Sequence, residues 1–382
     1  MNKLTLIILL VISCLIVSCV KKKQGTVASQ PKHEKVIVAL DTMPRTSITF
    51  ILGKDDNSRN PYYSLANIYY RINKTDKTEV VIDTISSLLD VRNYLIKNPP
   101  KNGRPWGLIN LVSHGNEFID LTVKVAPNGA RTSSQSLFEA IRDTVFRPLD
   151  STIVDAKSFI YLHGCAVGNN TELLRMLGIA FGGTKRPVPV KATKLFEYYG
   201  YVSNNRNPQA IRRYVAKVWY AFHNADSFPP EAKLIQQLRI RYPKEKINWA
   251  EAIRRQFPSL PAEIYHIRLI VPVIWDDFYK RSELRPVLNT SAKQAQWLAG
   301  KPEFLALIKK TKIPYNFFNI KYFNAEFKTE NGNYYAVRAK ARAGVVCLIK
   351  PLLSTLDSLR KRLEPFYPQP DDTICFGFSS HK

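Results

Sequence analysis

The sequence predicts an α/β protein with a mostly parallel sheet between layers of helices, followed by a C-terminal α+β extension. Strand and helix patterns alternate from Thr46 to about Asn204, as they do where helices connect parallel strands. Two of the strand patterns are short and apolar and lead into glycine-containing turns, which is typical of strands buried on both faces. After Asn204 the alternation stops, and this change predicts a second region.

The strand patterns of the first region are short apolar runs bounded by turn residues. They are Thr46–Leu52, Glu79–Asp83, Gly107–Ser113, Ser158–His163 and Val188–Ala192. The helix patterns carry apolar residues at spacings of three and four. They are Tyr62–Ile72, Ser86–Lys97, Ser136–Phe146 and a segment that contains Leu173, Leu174, Leu177 and Ile179. Asp120–Val125 alternates like one arm of a small hairpin that turns at Pro127–Gly129.

The second region mixes longer patterns and holds no motif with recognisable chemistry. Helices are predicted over Pro208–His223, Glu231–Ile240, Trp249–Phe257, Ala292–Lys310 and Leu352–Leu363. A strand is predicted over Ile264–Trp275, and Phe317–Lys328 and Tyr334–Ile349 form a hairpin joined at Glu330-Asn-Gly-Asn333. We expect the tryptophans of this region to pack in its core, and His223 and His266 to be structural.

The N-terminus resembles a bacterial lipoprotein signal peptide. Leu4–Val17 is mostly apolar, and the run closes as Leu15-Ile-Val-Ser-Cys19, which is similar to a lipobox. This resemblance implies acylation of Cys19 and a protein held outside the cytoplasm, in the periplasm or at the cell surface. The alternative is an uncleaved membrane span. The three lysines from Lys21 would then favour keeping the side of the chain that follows the span in the cytoplasm.

The predicted organisation therefore has four parts. Residues 1–19 are the signal peptide and lipobox, 20–44 a polar tether, 45–204 the α/β domain and 205–382 the extension. The net charge of +25 (56 Lys and Arg against 31 Asp and Glu) attracts anionic lipid, lipopolysaccharide, nucleic acid or an acidic partner, or it is only a solvated basic surface. Cys347 and Cys375 are expected as buried thiols, with a disulfide as the alternative.

A histidine and a cysteine end the two glycine-flanked strand patterns. Gly107–Ser113 leads into His114-Gly115, and Ser158–Leu162 leads into His163-Gly164-Cys165. If the two strands are parallel neighbours, their carboxyl ends lie at one edge of the sheet, which is where open α/β sheets hold their sites. Cys165 and His114 are then a candidate nucleophile and base. A helix pattern that begins just after Cys165 would help to ionise its thiol.

These blocks resemble the caspase-like (clan CD) cysteine peptidases, in particular the bacterial CHAT-type, gingipain-like and clostripain-like branches. Leu111-Val-Ser-His-Gly115 is similar to the histidine block of that family. Tyr161-Leu-His-Gly-Cys165-Ala-Val-Gly168 is similar to the cysteine block, although Gly164 replaces the usual alanine. The resemblance covers Thr46–Asn204 and implies a peptidase without a cofactor. It also implies that the backbone N–H groups of Gly115 and Cys165 bind the oxyanion.

Several residues keep alternative interpretations. Cys165 and His114 also fit an inert thiol and a turn histidine. His163 is a competing base or, more commonly, a packed neighbour of the site, and with His114 and Cys165 it could instead bind a metal. Asp120 and Asp155 are candidates for a pocket that binds basic substrate side chains. Lys185-Arg186 is a candidate processing site or an exposed basic pair. We expect a peptide or protein substrate, the membrane as a partner through Cys19, and no nucleic acid.

Overall fold

The computed structural model describes residues 45–55, 61–74, 79–201, 211–256, 263–329, 332–352 and 373–376. The described residues, from Arg45 onward, belong to one compact unit. Several predictions lie outside the described residues: the signal peptide with Cys19, the tether, and the helix at Leu352–Leu363 beyond Leu352. Among the described residues, no helix is both long and apolar enough to span a membrane.

The first sheet has six strands, of which five are parallel. Its strands are β1 (Ile48–Ile51), β2 (Val80–Ile82), β3 (Leu108–Val112), β6 (Phe159–His163), β7 (Val190–Thr193) and β13 (Thr373–Phe376). They lie in the order β2-β1-β3-β6-β7-β13, and only β13 is antiparallel to its neighbour. The strand order reverses between β1 and β3, and open α/β sheets bind their ligands beyond the carboxyl ends of the strands at such a point.

Four helices connect these strands and cover both faces of the sheet. They are α1 (Tyr62–Ile72), α2 (Leu88–Lys97), α3 (Ser134–Arg142) and α4 (Thr171–Gly182). Side chains on one face of the sheet, such as Phe50 and Leu162, pack in a core with α2, α3 and α4. Ile51 and Val112 on the other face pack against α1. The predicted three-layer α/β arrangement is therefore confirmed.

Side-chain caps set the first residues of three of these helices. Ser87 accepts a hydrogen bond from the backbone N–H of Asp90, and Ser133 forms a capping box with Ser136. Asn170 accepts a hydrogen bond from the N–H of Leu173 at the start of α4. Each cap satisfies an N–H group that has no partner within the helix.

A second sheet of five antiparallel strands makes up most of the C-terminal region. Its strands are β8 (Phe196–Tyr201), β9 (Ile211–Asn224), β10 (Tyr265–Tyr279), β11 (Asn319–Thr329) and β12 (Gly332–Pro351). The order is β10-β12-β9-β8, and β11 also pairs with β12. A small hairpin, β4 (Gly115–Asn116) and β5 (Asp120–Leu121), follows β3 in the first sheet.

Helices lie on both faces of the second sheet. On the outer face, α5 (Glu231–Arg241) and α6 (Trp249–Arg254) cover Trp219 and Leu348. On the inner face, α7 (Ser291–Ala299) and α8 (Pro302–Lys310) share a core with β9, β10 and β12. Phe118, Ile119 and Cys165 of the first domain pack against this inner core. The predicted C-terminal α+β extension is thus confirmed, and it covers the carboxyl edge of the first sheet.

Two predictions for the C-terminal region are corrected by the structure. The helix predicted over Pro208–His223 is wrong, because Ile211–Asn224 is the strand β9 and pairs with β8 and β12. The helix predicted over Ala292–Lys310 is two helices, since α7 ends at Ala299 and Pro302 begins α8. The predicted hairpin over Phe317–Ile349 is confirmed by the pairing of β11 with β12.

Candidate active site

The pairing of β3 with β6 brings His114 level with Cys165. Val112 lies opposite His163 in the parallel register. The pairing continues for one more residue, because the N–H of Ser113 donates to the carbonyl of His163 at 3.0 Å. A Cβ on Gly164 would lie 3.0 Å from the Ser113 carbonyl oxygen, so these backbones still touch. One residue further along each chain are His114 and Cys165, on neighbouring strands that are about 5 Å apart in such sheets.

Two tyrosines of α1 hold His114. Its imidazole stacks on the ring of Tyr62, with 4.4 Å between centroids, and the ring of Tyr63 meets it edge-on at 4.7 Å. Its backbone N–H donates to the Tyr63 hydroxyl at 2.9 Å. Burial raises the pKa of Tyr62, and the nearby Glu197 and Cys165 raise it further. Tyr62 therefore lies beside both members of the predicted pair.

Cys165 is half-buried and holds its proton. Its Sγ donates to the backbone carbonyl of Glu197 over 3.3 Å. Burial raises the pKa of this thiol to about 12, because a thiolate is poorly solvated in apolar surroundings. Burial raises the pKa of Tyr265 of β10, and Cys165 raises it further, since both residues pack against the same inner core. The second (C-terminal) sheet therefore keeps the thiol protonated by burying it against its inner core.

The backbone bends sharply just after Cys165. Ala166 is buried and adopts a left-handed conformation, with a φ of 55°, which is uncommon for a residue with a side chain and is often found at functional sites. A 3₁₀ turn over Val167–Asn169 leads into α4. A Cβ on Gly168 would come within 2.6 Å of the Ala192 carbonyl oxygen. Glycine is therefore required where this turn packs on β7.

Gly115, predicted to help bind the oxyanion, lies in the tight hairpin that follows His114. A Cβ at Gly115 would lie 2.5 Å from the backbone carbonyl oxygen of Asp120, which excludes a larger residue. Asp120 itself has a φ of 57° and completes the turn back towards Leu121. The hairpin fixes where the Gly115 backbone lies relative to His114. The role of the Gly115 and Cys165 N–H groups in oxyanion binding stays a prediction.

His163 lies behind the site, in a buried polar network on the α1 side of the first sheet. Its Nδ1 lies 2.7 Å from Glu197 Oε1, and its Nε2 lies 2.9 Å from the Tyr70 hydroxyl and 3.0 Å from Asn110 Oδ1. Burial lowers the pKa of His163, partly offset by Glu197. Because both ring nitrogens are engaged and the side chain is 1% exposed, His163 cannot carry protons between Cys165 and solvent. It is also unsuited to share a metal with His114 and Cys165.

Glu197 and Arg213 belong to this network but were not predicted from the sequence. Glu197 binds His163 and accepts from the Tyr199 hydroxyl at 3.1 Å, while Arg213 Nη1 lies 4.0 Å from its carboxylate. Burial raises the pKa of Glu197, but His163 and Arg213 outweigh it and the net shift is downward. Glu197 thus contacts His163, the last residue of β6, through its carboxylate and the Cys165 thiol through its backbone carbonyl. The sequence offers one signal for Glu197: it is a charged residue within the largely aromatic run Phe196–Tyr201.

Asp120 lies close to the predicted pair, beside a cleft that both acidic and basic side chains line. Asn170, just after the cysteine turn, donates to its carboxylate. Burial raises the pKa of Asp120 to about 6, although the charge of Lys310 opposes the shift. A cavity of about 200 Å³ lies there, lined by Glu117, Asn170, Glu172 and Lys310 among others. Lys310 Nζ also donates to the Ser134 hydroxyl at 2.6 Å, so this lysine of α8 fills part of the cleft.

Asp155 is not brought to the site. It precedes β6, whereas Cys165 follows it, so the two lie at opposite edges of the sheet. Asp155 forms a two-point ion pair with Arg45, with its shorter N–O distance 2.6 Å. Hydrogen bonding to Arg45 lowers the pKa of Asp155 to about 2. Asp155 therefore anchors the start of the domain and does not line a pocket with Cys165.

Comparisons with known proteins returned no relative. No protein-family model matches the chain, and no curated protein or solved structure matches it at a significant level.

Proposed function

We propose that the protein is a lipid-anchored cysteine endopeptidase of the bacterial cell envelope, in which Cys165 is the nucleophile and His114 the general base. The observation that carries this proposal is the register of β3 and β6, which brings the two residues level at the carboxyl edge of a parallel sheet. The similarity of the two sequence blocks to caspase-like peptidases supports the same assignment. The apolar run that closes at Cys19 is the basis for the lipid anchor.

The reaction needs a thiolate, a base and an oxyanion site. His114 removes the proton from Cys165 Sγ, and the thiolate attacks the carbonyl carbon of the scissile peptide bond. The carbonyl electron pair moves to oxygen, where the N–H groups of Gly115 and Cys165 stabilise it. When the tetrahedral intermediate collapses, the C–N bond breaks and the proton passes from His114 to the leaving amine. Water then hydrolyses the thioester and restores the thiol.

Catalysis requires the C-terminal sheet to move away from Cys165. With a pKa of about 12, the thiol is almost wholly protonated at neutral pH. It also packs against the inner core of that sheet, which covers part of the thiol. The described arrangement is accordingly the resting state in this proposal, and opening of the sheet both admits substrate and removes the main cause of the raised pKa. The exposed Lys185, in the loop between α4 and β7, precedes a candidate cleavage site for such activation.

The carboxylates of this cleft suit a basic substrate side chain next to the scissile bond. Glu117 and Glu172 line the space together with Lys310 and Lys312, and Asp120 is hydrogen-bonded to Asn170 in its wall. A substrate lysine or arginine would replace Lys310 among the same carboxylates. We therefore expect cleavage after Lys or Arg.

A second function, a catalytically silent scaffold that binds a partner through its basic surface, is favoured by one observation. Catalytic cysteines usually have a lowered pKa, whereas burial raises that of Cys165. If the C-terminal sheet never opens, the fold is retained without the chemistry. The two functions differ in whether Cys165 can be activated at all.

The deciding experiment is a cleavage assay on residues 24–382, which contain the whole compact unit. Fluorogenic peptides varied at the residue before the cut are offered to the parent and to Cys165→Ala, with and without EDTA. The peptidase proposal predicts cleavage after Lys or Arg that Cys165→Ala abolishes and EDTA does not change. Absence of cleavage, also after limited proteolysis at Lys185-Arg186, would favour the scaffold.

A further inference from the structure

The outer face of the second sheet is covered at one end and exposed at the other. Under α5 and α6, Trp219 and Leu348 are buried in an apolar cluster. Beyond these helices the same face carries both apolar and basic side chains. We call this part the basic face and define it by six residues: Ile270, Ile274, Lys321, Phe323, Lys340 and Arg342.

The register of the sheet places these side chains together. Ile274 of β10 pairs with Lys340 of β12, which also pairs with Lys321 of β11. Directly paired residues in antiparallel strands point to the same side, so this row presents one aliphatic and two cationic groups to solvent. Lys340 Nζ lies 5.3 Å from the ring centroid of Phe323, which joins this row to the next.

The apolar members of the basic face are unusually exposed for their type. Ile270, Ile274 and Phe323 have 42%, 54% and 46% of their surface accessible. The same face also carries an ion pair between Asp276 and Arg338. No packing among the described residues covers the three large apolar groups. An exposed apolar patch bordered by charged residues commonly marks an interaction site.

The charge of the face is strongly positive. Lys321 and Arg342 lie 3.9 and 3.7 Å from one carboxylate, that of Asp226, so a single negative charge faces two cations. Lys340 adds a further positive charge over the Phe323 ring. The whole chain carries +25, which strengthens the attraction of any anionic partner.

We propose that the basic face docks on an anionic lipid surface. Apolar tips that enter the boundary between headgroups and acyl chains, together with Lys and Arg at the phosphates, are the combination that interfacial membrane binding uses. Nucleic acid could bind to the cations and stack on Phe323, but its binding would not explain the exposed Ile270 and Ile274. The face is separate from Cys165, and the inference does not depend on peptidase activity.

The test measures vesicle binding by residues 24–382, which lack Cys19 and so cannot be held by an acyl chain. The protein is sedimented with phosphatidylcholine vesicles that contain or lack phosphatidylglycerol. Each basic residue near an anionic surface adds about 1 kcal/mol, so Lys321→Gln with Lys340→Gln should weaken partitioning about 30-fold. Ile274→Ser should weaken it further and make the remaining binding more sensitive to salt, because electrostatic attraction then contributes a larger share of it.

The matched control is Lys97→Gln with Lys101→Gln, which removes the same charge from two exposed positions, the last residue of α2 and the loop that follows it. This control should bind like the parent. Equal losses in both double variants would mean that only the overall charge matters and would overturn the assignment to this face. Unchanged binding of Lys321→Gln/Lys340→Gln, or binding of an oligonucleotide in place of vesicles, would overturn it as well.

Discussion

Cys165 should react with a disulfide reagent far more slowly than free cysteine at neutral pH. Its pKa of about 12 compares with about 8.5 for free cysteine, so at pH 7 about 3,000-fold fewer molecules carry a thiolate. A more basic thiolate is also a better nucleophile, which offsets about 50-fold of this difference. The net expectation is a rate about 60-fold below that of free cysteine, and lower still where the C-terminal sheet blocks the reagent.

The assay follows release of the coloured thiolate from an aromatic disulfide by residues 24–382 between pH 7 and 10. Cys165→Ser identifies the signal from this residue, since Cys347 is also a thiol without a disulfide. Tyr265→Ala should increase the rate because Tyr265 packs against the inner core that buries the thiol, whereas Tyr315→Ala changes an exposed ring and should not. A rate that equals that of free cysteine and levels off near neutral pH would refute the reasoning, because the thiol would then already be ionised.

Three further predictions concern stability. Asp120→Asn should stabilise the protein at pH 7 by up to about 3 kcal/mol. The pKa of Asp120 is about 6 in the folded protein against an ordinary value of 3.8, so its ionisation opposes folding above pH 4. Denaturant titrations at pH 4 and pH 7 should show the gain only at pH 7. His163→Gln should flatten the loss of stability below pH 6.5, because burial keeps His163 neutral while the unfolded histidine takes up a proton; an equally steep loss in the variant would contradict this role. Gly168→Ala should destabilise by about 1–3 kcal/mol, because its Cβ would meet the backbone of β7, and an unchanged thermal midpoint would show that the turn yields.

The first domain follows local patterns, which is why its sequence predicts it well. Gly107–Ser113 and Ser158–His163 are short, apolar and followed by glycine, and both are central strands of a parallel sheet. The strand β9 does not follow its local pattern. Ile211, Val215, Trp219 and Phe222 follow helical spacing, yet β9 is buried on both faces. An apolar run of this kind fits a buried helix and a buried strand equally well. The pairing of β9 with β8 and β12 decides for the strand.

The site is only half predictable from the sequence. His114 and Cys165 each end a readable strand, and the sheet brings them together. Glu197 and Arg213 come from strands of the second sheet, and no spacing in the sequence relates them to His163. The cover over Cys165 arises in the same way, because it depends on how the C-terminal sheet packs against the first domain. Contacts between distant segments therefore determine the ionisation state of the thiol.

The most direct measurement of the central claim is mass spectrometry of the protein after treatment with a peptidyl acyloxymethyl ketone that ends in lysine. Such a reagent reacts only where its peptide part is bound next to an activated thiol. A reactive cysteine outside a peptide-binding site is therefore not labelled. After limited proteolysis at Lys185-Arg186 to open the cover over Cys165, we expect a single adduct on Cys165, formed faster in Lys310→Ala and lost in His114→Ala. An adduct on another cysteine, or equal labelling of the parent and His114→Ala, would contradict the pairing of His114 with Cys165.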